Sequence, residues 1–155
     1  NFSMWRGKLP HWRADDVTYY VTFRHRRALD PFERSLLLRE LIKPHGVKWH
    51  ILIVGVFPEH SELIFKAGVS AGGETYELAQ VVEKAKSRAG KGVIKKTGER
   101  FPPFYEESYD RIIRDASELE ERWEAIFELP TQLELAEDPE DYEFLWVADA
   151  PNTSI

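Results

Sequence analysis

The chain contains no cysteine. That absence removes disulfides, thiolate catalysis, cysteine zinc sites and iron–sulfur clusters together. Methionine occurs once. No run of about 18 apolar residues appears, so no membrane-spanning helix and no membrane partner are expected. The basic, broken N-terminal stretch does not read as a signal peptide, and the expected location is cytoplasmic. What is present suffices for one packed domain: 155 residues, 43% hydrophobic, with 5 Trp, 6 Tyr and 9 Phe. At 31% charged, the composition is that of a globular protein rather than a disordered tail.

Charge is unevenly spread. The total of −6 argues at first against nucleic acid. Residues 1–50 nevertheless carry +5, residues 51–100 carry +2, and residues 101–155 carry −13. A basic body beside an acidic C-terminal third is a hint of a nucleic-acid face. A plain solvated acidic helix and tail accounts for the same numbers equally well.

Elements follow from period and punctuation. Val17, Tyr19, Val21 and Phe23 alternate with Thr18, Tyr20, Thr22 and Arg24, the pattern of a strand with one buried face. Asp30-Pro31-x-Glu33 supplies a helix N-cap, a first-position proline and a first-turn carboxylate. That helix stops at Pro44-His45-Gly46. Val47 to Phe57 is a near-continuous apolar run, expected as a central strand, and Pro58-Glu59 turns it into a partner at Ser61 to Ala67. From Thr75 the apolar positions recur at helical spacing, with an end expected at Gly90-Lys91-Gly92. A short strand is expected within Phe101 to Ile113. Asp115-x-x-Glu118 then caps a helix, expected to stop at Pro130, with Leu119, Trp123 and Ile126 as its buried stripe. In the acidic stretch that follows, Tyr142, Phe144 and Trp146 are packing anchors. The order β-α-β-β-α-β plus a helix predicts a ferredoxin-like α+β sandwich. Residues 1–130 form the expected domain, and residues 131–155 an acidic extension packed on it or trailing from it. The fold alone assigns no function.

Chemistry concentrates in Phe57-Pro58-Glu59-His60-Ser61-Glu62. If the strand begins at Ser61, His60 and Glu62 share a face, because strand side chains two apart align. An imidazole and a carboxylate so placed make a weak two-donor site for a divalent ion. The plain alternative is a hairpin corner with two exposed polar residues.

Lys8-Leu-Pro-His-Trp-Arg13 and Tyr19-Tyr-Val-Thr-Phe-Arg24 resemble the opening of REP-associated tyrosine transposases, which belong to the single-tyrosine HUH transposases. Phe57-Pro-Glu-His60-Ser-Glu62-Leu lies where that family has Met-Pro-Asn-His-x-His-hydrophobic. Phe104-Tyr-Glu-Glu-Ser-Tyr-Asp110-Arg111-Ile-Ile-Arg114-Asp115 is similar to its Trp-Gln-x-x-Tyr-Phe-Asp-Arg-x-x-Arg-Asp stretch. Ala125-Ile-Phe-Glu-Leu129-Pro130 falls on its Tyr-Ile-x-x-Asn-Pro, and Ala136-Glu-Asp138-Pro139-x-Asp141-Tyr142 matches its exit from the domain. The likeness runs in order from Lys8 to Trp146. It implies an HUH palm-type sandwich. It also implies a last-helix tyrosine that attacks a DNA phosphodiester, and a divalent metal held by two histidines and a side chain one turn after that tyrosine.

The departures are as informative. His60 keeps the first histidine, but Glu62 replaces the second, Ala125 stands at the nucleophile and Leu129 at the third ligand. Glu62 still suits Mg²⁺ or Mn²⁺. Glu128 and Glu121, near Ala125 in helical register, stand as speculative substitute ligands. A methyl group forms no phosphotyrosine, so no catalytic residue is assigned and an inactive relative is expected.

DNA binding needs only cations and aromatic platforms. Arg6, Lys8, His11, Trp12 and Arg13 interleave the two near the N-terminus. Arg24, Arg26 and Arg27 follow the first strand, and Lys84, Lys86, Arg88 and Lys91, extended by Lys95 and Lys96, make a further cluster. Solubilising charge is the alternative for each. The expected partner is single-stranded or stem-loop DNA, and the resemblance adds a homodimer. Two other readings stay open: a metal-dependent nuclease that uses water, and an interaction remnant that binds no nucleic acid.

Overall fold

The computed structural model describes residues 17–47, 49–67 and 78–148. The N-terminal cluster Arg6, Lys8, His11, Trp12 and Arg13 lies outside them. In chain order the elements are β1 (Thr18–Arg24), α1 (Pro31–Ile42), β2 (Trp49–Val56), β3 (His60–Ala67), α2 (Leu78–Thr97), β4 (Tyr109–Ile113), α3 (Ala116–Gln132), a 3-10 turn (Pro139–Asp141) and β5 (Leu145–Val147). The sheet order is β4-β1-β3-β2-β5 with every pairing antiparallel, the ferredoxin-like arrangement with one strand added at the β2 edge. No helix among the described residues is long and apolar enough to cross a membrane.

Two cores hold the layers together. On one face, Val21 and Phe23 of β1, Ile51 and Val54 of β2, and Leu63 and Phe65 of β3 pack against Leu37 and Leu41 of α1 and Val82, Ala85 and Ala89 of α2. On the other, Tyr20, Leu52, Ile53, Ile64 and Ile113 receive Trp123, Ile126 and Phe127 of α3. A register shift between Ile51 and Ile53 explains how the consecutive Leu52 and Ile53 both reach the α3 side. β1 is therefore buried on both faces at its start, against the single face its alternation predicts: Thr18 and Tyr20 are covered along with Val21 and Phe23. Toward its end β1 emerges, with Thr22 half-buried and Arg24 exposed.

The Asp30 cap is built as the sequence predicts. Glu33 N–H donates to Asp30 Oδ1 (2.8 Å), and Asp30 N–H donates to Glu33 Oε1 (2.9 Å). The hairpin at Pro58-Glu59 also closes as expected, with Phe57 N–H donating to the His60 carbonyl.

Two helix ends differ from expectation. α2 runs through Gly90-Lys91-Gly92 to Thr97. Those glycines make room rather than stop the helix: a Cβ at Gly90 would stand 2.9 Å from Pro102 Cβ, and one at Gly92 2.6 Å from Leu36 Cδ2. The terminating glycine is Gly98, at φ +76°, whose N–H donates to the Ile94 carbonyl. α3 runs past Pro130 to Gln132, because a proline in the last turn forfeits one hydrogen bond while its buried ring adds packing. Leu133 N–H donates to the Leu129 carbonyl and closes the turn.

Beyond α3 the chain is tied down at the far edge of the sheet. β5 pairs with β2, and the Tyr142 hydroxyl donates to the Val56 carbonyl at 2.7 Å while its ring stacks on Phe57. Phe144 is buried, and Trp146 packs partly buried against the same core.

Candidate functional site

The face of the sheet that carries α3 is covered over only part of its length. Directly paired residues share a face, so β1–β3 register puts Tyr20, Thr22 and Arg24 beside Ile64, Glu62 and His60. Ile64 and Tyr20 lie under α3, and the polar residues follow where that cover ends. Glu62 is the hub. One carboxylate oxygen accepts the Tyr20 hydroxyl, and the other accepts His60 Nε2–H at 2.9 Å. The Arg122 guanidinium, one turn before Ala125 on α3, lies 4.3 Å from the centroid of the Tyr20 ring.

Electrostatics follow the geometry. Burial works to raise the Glu62 carboxyl, but hydrogen bonds from His60 and Tyr20 and the Arg122 charge outweigh it and hold it below the usual range. Tyr20 is pushed well above an ordinary phenol, first by burial and then by its bond to Glu62, so its hydroxyl remains a donor. Sequence reasoning missed Tyr20 and Arg122 as members of this cluster. Only strand register and helix packing unite residues this far apart.

Ala125 is exposed on α3. Leu129, one turn on, packs its half-buried side chain against the first core. Glu121 is exposed and Glu128 half-buried. Among the described residues no group of three or more His, Asp or Glu side chains converges as a set of metal ligands. His60 and Glu62 stand as a two-donor pair, and Leu129 has no donor atom.

The basic residues divide sharply. Lys84, Arg88, Lys91 and Lys95 are exposed, and their spacing of four, three and four puts them in one stripe on α2. Lys86 does not belong to that stripe. It is 4% exposed, its Nζ donating to the Glu106 carbonyl (3.1 Å) and to the Glu83 carboxylate (3.3 Å), 4.7 Å above the Phe23 ring. Burial lowers its pKa, and it is withdrawn from any DNA-binding surface. Arg27 is likewise committed, its guanidinium held between Glu33 and Glu99 at 2.5 Å from each. That pairing compensates the buried charge of Glu33, which is 2% exposed.

Arg24 and Arg26 remain at the surface. They flank a ring outside the basic clusters read from the sequence: Tyr105, whose centroid lies 5.9 Å from Arg24 and 5.3 Å from Arg26. Phe101 sits beside Arg26 and Arg100, at 5.8 and 5.5 Å. The sequence shows Arg100, Phe101 and Tyr105 as a local run of charge and rings, and only the backbone bonds of Arg24 and Arg26 to the 103–105 segment bring the two groups together.

No family model matches the chain, and no curated protein matches it by sequence. Its three-dimensional arrangement does have counterparts. The structure of a REP-associated tyrosine transposase bound to a REP hairpin matches with a TM-score of 0.65 at 15% identity, covering 88% of this chain and 82% of that one. The fold is that of a REP-associated tyrosine transposase. A protein of Deinococcus radiodurans R1 assigned as a transposase matches with a TM-score of 0.50 at 11% identity, over 76% of this chain and 95% of its own. On this transposase fold, β3 begins with His60 and Glu62, and α3 carries Ala125 on an exposed face.

Proposed function

We propose that this protein binds single-stranded or stem-loop DNA on a transposase fold and does not cut or covalently capture it. The carrying observation is the exposed methyl of Ala125, one turn after Arg122 on α3, together with a His60–Glu62–Tyr20 cluster joined by its own hydrogen bonds. A phosphotyrosine needs a phenol at that position. A hydrolytic alternative needs a third ligand beside His60 and Glu62, and Glu128 does not converge with them.

Binding in this reading is carried by phosphate contacts and is therefore salt-dependent. The α2 stripe Lys84–Arg88–Lys91–Lys95 spans 12 residues, about 16 Å of helix from first to last, a reach suited to successive phosphates. Arg24 and Arg26 add cations at the end of β1.

The test is incubation with labelled REP-type hairpins in Mn²⁺ or EDTA, followed by native and denaturing gels. The expected result is a salt-sensitive shift unaffected by EDTA, with neither adduct nor cleavage. A covalent adduct, or cleavage that needs Mn²⁺, overturns the loss of chemistry. Absence of a shift at low salt overturns DNA binding and leaves the interaction remnant.

A further inference from the structure

Three rings stand in a row beside the His60–Glu62 pair. The His60 imidazole lies 5.2 Å from the Phe57 ring at 30°, and Phe57 lies 5.8 Å from the Tyr142 ring at 8°. We propose that Tyr142, on the segment after α3, is a positioning residue for His60. Acting through Phe57, it holds the imidazole in the one orientation and tautomer that serve Glu62. The segment after α3 is then a working part of the site rather than an appendage. This role holds with or without DNA binding.

Tyr142 is the fixed end of the row. It is buried, its hydroxyl donates to the Val56 carbonyl at 2.7 Å, and Val56 N–H donates back to the Phe144 carbonyl at 2.9 Å. The Asp138 carboxylate caps the 3-10 turn, and Tyr142 N–H closes that turn on the Pro139 carbonyl. Phe144 is buried too, with the Arg34 guanidinium of α1 5.0 Å from its centroid. A buried phenol whose hydroxyl and backbone are both bonded has little freedom to turn.

Phe57 transmits that position. It is fully buried, and its ring folds back across Gly55, where a Cβ would stand 2.4 Å from Phe57 Cζ. Gly55 is the register partner of Glu62 on β3. A glycine within a strand gives up packing, and it marks a close approach. The group that approaches here is the Phe57 ring, seated between the β2 backbone and Tyr142. Close packing leaves such a ring nowhere to move without opening a void.

His60 is the free end. Its side chain is 29% exposed, at the first residue of β3. Nε2–H donates to Glu62 at 2.9 Å, and the Phe57 ring flanks the imidazole. A single hydrogen bond lets a ring pivot about the bond axis, and a flat neighbour removes that freedom. With Nε2 the donor, Nδ1 is the acceptor of the neutral ring. The stack therefore decides which nitrogen the site offers.

The experiment is a long-range ¹H–¹⁵N correlation spectrum of the full chain at about pH 8, where an ordinary histidine is neutral. Wild-type His60 is expected as the Nε2–H tautomer alone, its ring protons shifted by the Phe57 ring. Tyr142→Leu removes the outer ring, and Gly55→Ala pushes Phe57 from the strand side. Each should give a mixture of both tautomers and lose the ring-proton shift. Tyr142→Phe keeps the stack and should keep the wild-type pattern, although its melting temperature falls with the lost hydroxyl bond. A wild-type His60 that samples both tautomers overturns the proposal. So does the wild-type pattern in Tyr142→Leu and Gly55→Ala. A pattern lost as fully in Tyr142→Phe as in Tyr142→Leu overturns it as well, because stability alone would then explain the effect. Should one variant fail to fold, the wild-type spectrum and the other variant decide.

Discussion

Tyr20 on β1 donates its hydroxyl to Glu62 on β3, across the sheet face that α3 only partly covers. His60 occupies the other carboxylate oxygen at 2.9 Å, so the charge is compensated within the fold. Tyr20→Phe removes one donor and leaves a half-buried carboxylate oxygen without it. The expected cost is about 1–2 kcal/mol at pH 7, read by urea unfolding. The Glu62 carboxyl should also titrate higher, because one of the bonds holding it down is gone. An unchanged urea midpoint would mean that the bond contributes nothing.

Acid sensitivity should arise first from histidine. Burial pulls His25 down to about 4 from its ordinary 6.5. Its Nδ1–H donates to the Pro58 carbonyl and its Nε2 accepts the Ser61 hydroxyl, each at 2.9 Å, so it is folded in the neutral form. The unfolded chain binds the proton more readily between these two values, so stability falls as pH drops from about 6.5 toward 4. The loss between pH 7 and pH 5 should be about 2 kcal/mol from this group. His45, also lowered by burial, adds in the same direction. Glu33 and Glu62 are held low, so their contribution is intact above the ordinary carboxylate range and is lost only at more acidic pH. His25→Gln should flatten the pH 5–7 slope in denaturant melts. A slope equal to that of the wild type would locate the sensitivity elsewhere.

Gly90 ties helix packing to the aromatic patch. An added Cβ would meet the Pro102 ring at 2.9 Å, and a proline ring cannot rotate aside. Gly90→Ala gains about 1 kcal/mol of helix propensity but incurs about 1–3 kcal/mol of overpacking. The expected outcome is a small net loss of stability, read by urea unfolding, as Pro102 and the segment leading to Tyr105 shift. Stabilisation would show that this contact yields freely.

Lys86 and its neighbours separate charge from packing. Lys84→Ala, Arg88→Ala and Lys91→Ala should each leave stability within about 0.5 kcal/mol. Each should also reduce the slope of log affinity against log salt, by up to about 0.9 per lost phosphate contact. Lys86→Ala should do the reverse, lowering stability and leaving the slope alone, because its ammonium serves the Glu106 carbonyl. A salt slope that moves with Lys86 and not with Lys84 would reverse the assignment.

The sequence by itself determined the order of elements, the Asp30 capping box, the Pro58-Glu59 hairpin and the placement of His60 and Glu62 on one strand face. All of these are local, written in periods of two or 3.6 and in caps and turns. That residue 125 is alanine, where the resemblance implies a tyrosine, was equally plain, since it is a matter of identity rather than position. Tertiary structure alone decided what lies beside what. Gly90 and Gly92 have the composition of a helix stop, and only the proximity of Pro102 and Leu36 makes them close-approach sites. Lys86 has the spacing of a surface cation, and only the segment folded over it buries it. Tyr20 and Glu62 are 42 residues apart, and Arg24 and Tyr105 are 81 apart. The Tyr20–Glu62 bond and the Arg24–Tyr105 pairing exist because antiparallel register and the 103–105 bridge bring distant segments into contact, and no local pattern encodes that distance.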